Sequence, residues 1–187
     1  QARDNFGLRV TIFNQGTNLY ALTPYLEGVS PITTIPLGVP VVEGMIPLGG
    51  GELLIGTSFH RGSFTYNDDY DDYQSSFALT GWIASVGYAF RLAQDETTAL
   101  KAGGRAGMAI MGKVEMESTD YDGDTRSDSD DIDSSFQLSA FIAGEYFPAQ
   151  HFGLSVETGL SFVTLAVGDT DQNWLNLYGA FSGIIRF

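Results

Sequence analysis

Residues 100–116 read LKAGGRAGMAIMGKVEM, and this stretch decides the fold. Its even positions are Leu100, Ala102, Gly104, Ala106, Met108, Ile110, Gly112, Val114 and Met116. Its odd positions include Lys101, Arg105, Lys113 and Glu115. One face is apolar and the other holds every charge. A period of two is the signature of a β-strand with unlike faces. The same split runs through Phe136, Leu138, Ala140, Ile142, Gly144 and Tyr146 against Gln137, Ser139 and Glu145. It returns in Phe152–Phe162, where Glu157 lies on the polar face, and in Leu175–Phe187, where Asn176 and Arg186 do.

These runs are about 12–18 residues long, whereas strands of soluble domains usually have about 5–6. A tilted strand crossing a membrane needs about 9–11 residues and extends into both interfaces. The pattern therefore predicts an all-β fold, an up-and-down antiparallel transmembrane β-barrel of about eight strands forming one domain over 1–187. Expected strands are 6–14, 35–47, 51–66, 76–92, 97–116, 134–147, 151–166 and 173–187. The second is the weakest, since it contains Pro36, Pro40 and Pro47. The same prolines exclude a membrane helix between Pro31 and Gly50. Longer polar connections (15–34, 67–75, 117–133, 167–172) alternate with short ones (48–50, 93–96, 148–150), as extracellular loops and periplasmic turns do in such barrels.

Aromatic residues gather near the strand ends. Phe64, Tyr66, Phe77, Phe136, Phe162 and Trp174 fall toward the loops, and Tyr88, Phe90, Tyr146, Phe147, Phe152 and Phe187 toward the turns. Two such girdles mark membrane interfaces, although aromatics also favour strands as such.

The chain of 187 residues has no Cys and a formal net charge of -14 with 9 Lys plus Arg, which argues against nucleic acid as a partner. Beginning at Gln1, it reads as a fragment or a processed export product. The acids cluster in the longer connections: Asp68, Asp69, Asp71 and Asp72, then Asp120 to Asp133, then Asp169 and Asp171. Asp120, Asp122 and Asp124, followed by Asp128, have the alternate spacing of a Ca²⁺ loop. Gly123 stands out of place for an EF-hand and the closing Glu is missing, so a solvated loop is the plainer reading. In 15–34, Tyr20, Leu22, Tyr25 and Leu26 offer apolar contact to a protein partner or to the barrel's own rim.

The inward faces hold Gly7, Arg9, Thr11, Glu52, Ser58, His60, Lys101, Arg105, Gln137, Glu145, Glu157, Ser161, Asn176 and Arg186. An eight-stranded lumen is filled by side chains, and buried charges need partners. The expected network joins Arg9 and Arg105 to Glu145 and Glu157. Its plain role is to seal and stiffen the barrel; a narrow pore or transporter for ions or small apolar molecules is the alternative, and a lipid-modifying outer-membrane enzyme is a more distant one. No enzyme is expected. Ser58 and His60 lie about 6–7 Å apart on one strand face, from the ~3.3 Å rise per residue, and His151 sits in a turn.

The ending LYGAFSGIIRF, residues 177–187, resembles the terminal strand of small eight-stranded bacterial outer-membrane β-barrels, as does the strand–turn–strand 144–162. The whole chain is similar in size to the transmembrane domain of outer membrane protein A. That resemblance implies an outer-membrane location with extracellular loops and periplasmic termini. It implies contact with outer-membrane lipid and lipopolysaccharide, and a C-terminal signal, Phe181, Gly183, Ile185 and Phe187, read by the barrel assembly machinery.

Overall fold

The computed structural model describes residues 5–21, 40–68, 73–119, 124–131, 134–167 and 170–187. Nine strand segments run in chain order: β1 Gly7–Ala21, β2 Val42–Leu48, β3 Gly51–Asp68, β4 Tyr73–Gln94, β5 Thr98–Thr119, β6 Thr125–Asp131, β7 Ser134–Tyr146, β8 Phe152–Val167 and β9 Thr170–Arg186. Every pairing is antiparallel. β5 pairs with β6 near the loops and with β7 near the turns, so β6 and β7 make one stave of the wall. The sheet closes through β4–β5 and β1–β9 into an eight-stave up-and-down barrel.

Burial is inverted relative to a soluble domain. Along β7 and β8 the outward residues Leu138, Ile142, Val156 and Leu160 are 45–62% exposed. The inward residues Glu145, Ser155, Glu157 and Ser161 are at most 3% exposed. An outer wall of large apolar side chains around a polar interior suits lipid outside and a closed lumen within. Phe90, Tyr146, Phe152 and Phe187 stand exposed at the turn end. Tyr88 packs edge-on against Phe90 at 4.8 Å and donates a hydrogen bond to the Leu48 carbonyl at 2.6 Å. Phe147, expected in this girdle, is instead buried in the lumen, 5% exposed. It lies just past the end of β7, where the chain turns in beneath Gly153; a Cβ on that glycine would sit 2.6 Å from the Phe147 ring.

The strands are longer than expected on the loop side. β1 continues to Ala21, so the expected loop 15–34 begins as a strand, and Tyr20 pairs with Leu175. Register shifts between Thr11 and Phe13 and between Asn18 and Tyr20 break the alternation that sequence reading relies on. The expected loop 117–133 contains the end of β5 and all of β6, paired from Lys113↔Asp131 to Thr119↔Thr125. Strand there needs no apolar face, since it stands beyond the lipid belt, and hydrophobic periodicity is silent about it. For the same reason β3 and β4 extend to Asp68 and Tyr73, and β9 begins at Thr170. A bulge leaves Ile110 outside the register, where Trp82 faces Met111 and Ile83 faces Ala109. This reverses the parity of β5, so Glu115 is exposed rather than inward.

The weak second strand is real but short. Its described part is Val42–Leu48, while 35–39 lies outside the described residues. Pro47 is tolerated because β1 pairs with β2 only over Val42–Met45, leaving Pro47 on an open edge. The hairpin from β2 to β3 turns on Gly49 and Gly50, with Gly49 at φ 60°, a conformation that favours glycine.

Replacing outward-facing Ile142, which is 53% exposed, tests the inverted pattern. Ile142→Arg is expected to destabilise the barrel by about 2–4 kcal/mol in denaturant titrations from lipid vesicles. On a water-facing surface the same change would cost within about 0.5 kcal/mol.

Candidate functional site: a charge-neutral lumen

Alternation along each strand aims one charged residue after another at the axis. Arg9 projects from β1, Glu43 from β2, Glu52 from β3, Lys101 and Arg105 from β5, Glu145 from β7, Glu157 from β8 and Arg186 from β9. All eight side chains are at most 3% exposed. Four cations meet four carboxylates, so the cluster is formally neutral and the whole net charge of -14 is carried elsewhere in the chain. Of the eight staves, only the one formed by β4 supplies no member among the described residues. Its Gly87 makes room instead, since a Cβ there would lie 2.8 Å from Arg105 Cγ.

The cluster has two halves. In the half nearer mid-barrel, Arg105 Nε donates to Glu43 Oε1 at 2.6 Å and Nη2 donates to Glu43 Oε2 at 3.1 Å. Arg105 Nη1 and Nη2 donate to the two oxygens of Glu157 at 2.7 and 2.9 Å. Arg9 Nη1 donates to Glu43 at 2.9 Å and to Glu157 at 3.1 Å. The Tyr178 hydroxyl donates to Glu157 Oε1 at 3.0 Å. In the half nearer the turns, Lys101 Nζ lies 2.7 Å from both Glu52 and Glu145, and Arg186 Nη2 donates to Glu52 at 2.6 Å. Arg9 Nη2 donates to Glu145 Oε1 at 2.9 Å and ties the halves together. Bidentate guanidinium–carboxylate bonds are the strongest and most directional of these contacts.

Apolar side chains fill the space between the charges. The Arg105 guanidinium lies 4.0 Å over the Phe141 ring, a cation–π contact. Met45, Leu54, Phe141, Phe147, Tyr178 and Ile184 form the buried apolar part of the lumen. Glycines admit the rings: a Cβ on Gly103 would lie 2.8 Å from Phe141 Cζ, and one on Gly159 would lie 2.8 Å from the Tyr178 hydroxyl. Toward the loops the lining turns to uncharged polar groups, with Gln137 donating to Ser161 at 3.2 Å and with Ser58 and Asn176 buried nearby.

Of the four residues expected to form a network, Arg9 contacts both Glu145 and Glu157, and Arg105 contacts Glu157; no Arg105–Glu145 pair occurs among the described residues. Glu43 was missed, although it faces Arg9 directly in the β1–β2 register. Its alternation with Met45 was the available signal, hidden by the neighbouring prolines. Lys101, Glu52 and Arg186, placed inward by sequence, join the same network. Asp124 is exposed just ahead of β6, and Asp128 lies within β6 opposite Met116, so the two are not on one loop. Asp120 and Asp122 lie outside the described residues, as do Leu22, Tyr25 and Leu26. Among the described residues no group of three or more His, Cys, Asp or Glu is placed to hold a metal ion. His60 pairs through its backbone with Gly81. Phe181, Gly183 and Ile185 lie on the outward face of β9, the strand that closes the barrel against β1, and Phe187 follows just past its end.

Fold and lumen together define a closed transmembrane β-barrel plugged by a neutral ion cluster. No protein-family model and no curated protein matches the sequence. Among solved structures the chain is similar to Ail, the attachment invasion locus protein of Yersinia pestis, at 13% identity over 95% of each chain, with a TM-score of 0.38. It is similar to Neisserial surface protein A at 9% identity over 97% of each chain, with a TM-score of 0.40.

Removing one carboxylate leaves the buried cluster with one uncompensated positive charge. Glu157→Ala is expected to cost about 3–5 kcal/mol in unfolding measurements from lipid vesicles. The double variant Arg105→Met/Glu157→Leu is expected to cost less than the two single changes added together, the mark of direct coupling.

Proposed function

We propose that the protein is a bacterial outer-membrane barrel whose lumen is closed, and which acts by presenting its acidic loop side to partners at the cell surface. The observation carrying this reading is the neutral eight-residue cluster across the lumen. Ions crossing the barrel would have to displace bonds of 2.6–2.9 Å. A lumen filled in this way leaves the two ends as the working surfaces. The turn end is short, and the described chain begins and ends there, with Phe187 bonded to Phe6.

The loop end supports the second half of the reading. β5 and β6 stand there as a hairpin with Glu115, Glu117, Asp124, Ser127 and Ser129 exposed. Asp128, Asp130 and Asp131 belong to the same hairpin. Concentrated negative charge favours basic protein surfaces, or lipopolysaccharide phosphates bridged by divalent cations. Extracellular loops, periplasmic termini and delivery by the barrel assembly machinery belong to the same proposal.

Two measurements test it. In planar bilayers the wild-type barrel is expected to stay silent, and stepwise ion currents would contradict a closed lumen. Extraction from outer membranes in mild detergent is expected to retain a partner at low salt and release it near 1 M, where the Debye length falls to about 3 Å. Asp128→Asn/Asp130→Asn/Asp131→Asn is expected to weaken that retention; a partner held equally by this variant would contradict a role for the hairpin.

A further inference from the structure

The outer wall is not uniformly convex. An open groove of about 680 Å³ lies on the lipid-facing side of β5, β7 and β8, near the turns. Its floor is Gly144, where an added Cβ would meet nothing within 4 Å. Leu100 and Val156, the two cross-strand neighbours of Gly144, form its walls. Tyr146 and Phe181, 49% and 36% exposed, bound it further. All of these side chains belong to the apolar outer face, so the groove is continuous with the surface that meets lipid.

At the turn end the groove opens onto a polar rim of Asp95 and Thr98. The rim is rigid: Asp95 accepts hydrogen bonds from the amides of Thr97 and Thr98 at 2.8 and 2.7 Å, and from the Thr98 hydroxyl at 2.7 Å. No Lys or Arg is among the described residues lining the groove. A bilayer places acyl chains against the apolar walls and headgroups at the level of this rim. A fixed carboxylate there repels an anionic headgroup and favours one carrying an ammonium.

We infer that this groove is a phospholipid site: one acyl chain lies over Gly144 between Leu100 and Val156, and a zwitterionic, ammonium-bearing headgroup sits at Asp95. The site rests on the transmembrane placement of the barrel. It goes beyond general lipid contact because shape and rim charge select one position and one headgroup class. The bound lipid covers a concavity that the side chains leave open and fixes the turn-side edge of β5–β7–β8 at the interface.

Native mass spectrometry of the detergent-purified, delipidated protein tests this with phosphatidylethanolamine or phosphatidylglycerol added back. The wild type is expected to bind one phosphatidylethanolamine in preference to phosphatidylglycerol. Gly144→Phe fills the groove and is expected to weaken that binding at least about tenfold, a loss that about two buried methylenes account for. Gly179→Phe, on the outward face of β9, is expected to bind like the wild type. Equal binding by wild type and Gly144→Phe would overturn the site, and a preference for phosphatidylglycerol would overturn the role of Asp95. A wild-type dimer that Gly144→Phe dissociates would make the groove a contact between copies and overturn the lipid assignment. Should the wild type stay monodisperse in water without detergent, the transmembrane reading itself fails, an outcome distinct from the others.

Discussion

Arg105 is held between Glu43 and Glu157 by four hydrogen bonds of 2.6–3.1 Å, and Arg9 shares both carboxylates. An isolated ion in such a place costs several kcal/mol of lost hydration, so each charge requires an opposite one within reach. Much of the barrel follows from that requirement. The registers of β1 with β2 and of β5 with β7 bring residues far apart in sequence to one level of the lumen. A slip of one residue in any of the seven staves that carry a member would turn a charge outward into lipid and unbalance the cluster. The cluster therefore specifies register together with the apolar belt, from the opposite side of the wall.

The apolar belt and the ion cluster are two expressions of one alternation. Outward residues can be large and greasy without limit, because the bilayer is their solvent. Inward residues compete for a fixed cross-section. That competition explains the small residues facing the bulkiest groups: Gly87 beside Arg105, Gly103 under Phe141, Gly153 under Phe147 and Gly159 beside the Tyr178 hydroxyl. Packing and electrostatics are solved together, since the guanidinium of Arg105 also lies over the Phe141 ring. A closed lumen of this kind leaves function to the ends and the outer wall. The charge imbalance of the chain lies outside the plug, much of it in the acidic connections on the loop side.

Where the physics is periodic, the sequence was legible. The alternation in 100–109, 136–146 and 152–162 placed Lys101, Arg105, Glu145 and Glu157 inward and their neighbours outward, as the structure does. It failed where period two is interrupted or unnecessary. The bulge at Ile110 turned Glu115 to the surface, the prolines around β2 hid Glu43, and β6 lies beyond the belt, where no apolar face is demanded. Phe147 was misplaced because an aromatic residue at a strand end reads alike whether it anchors in the interface or folds back into the lumen. The partners of each charge were not readable individually. Closure of the barrel brings Arg9 across the lumen to Glu145 and Glu157, more than a hundred positions away, and no local pattern encodes that.

One face of each strand meets lipid while the other is shut inside. The chain contains no Cys, so single cysteines can be introduced one at a time along Leu154–Phe162 and spin-labelled in reconstituted vesicles. Collision with oxygen, which concentrates in lipid, should then peak at positions 154, 156, 158, 160 and 162. Labels at 155 and 161, where small serines outside the ion cluster are replaced, should be shielded from oxygen and from a water-soluble nickel chelate alike. Nickel access at 156 or 160 matching that of a freely exposed label would contradict the account.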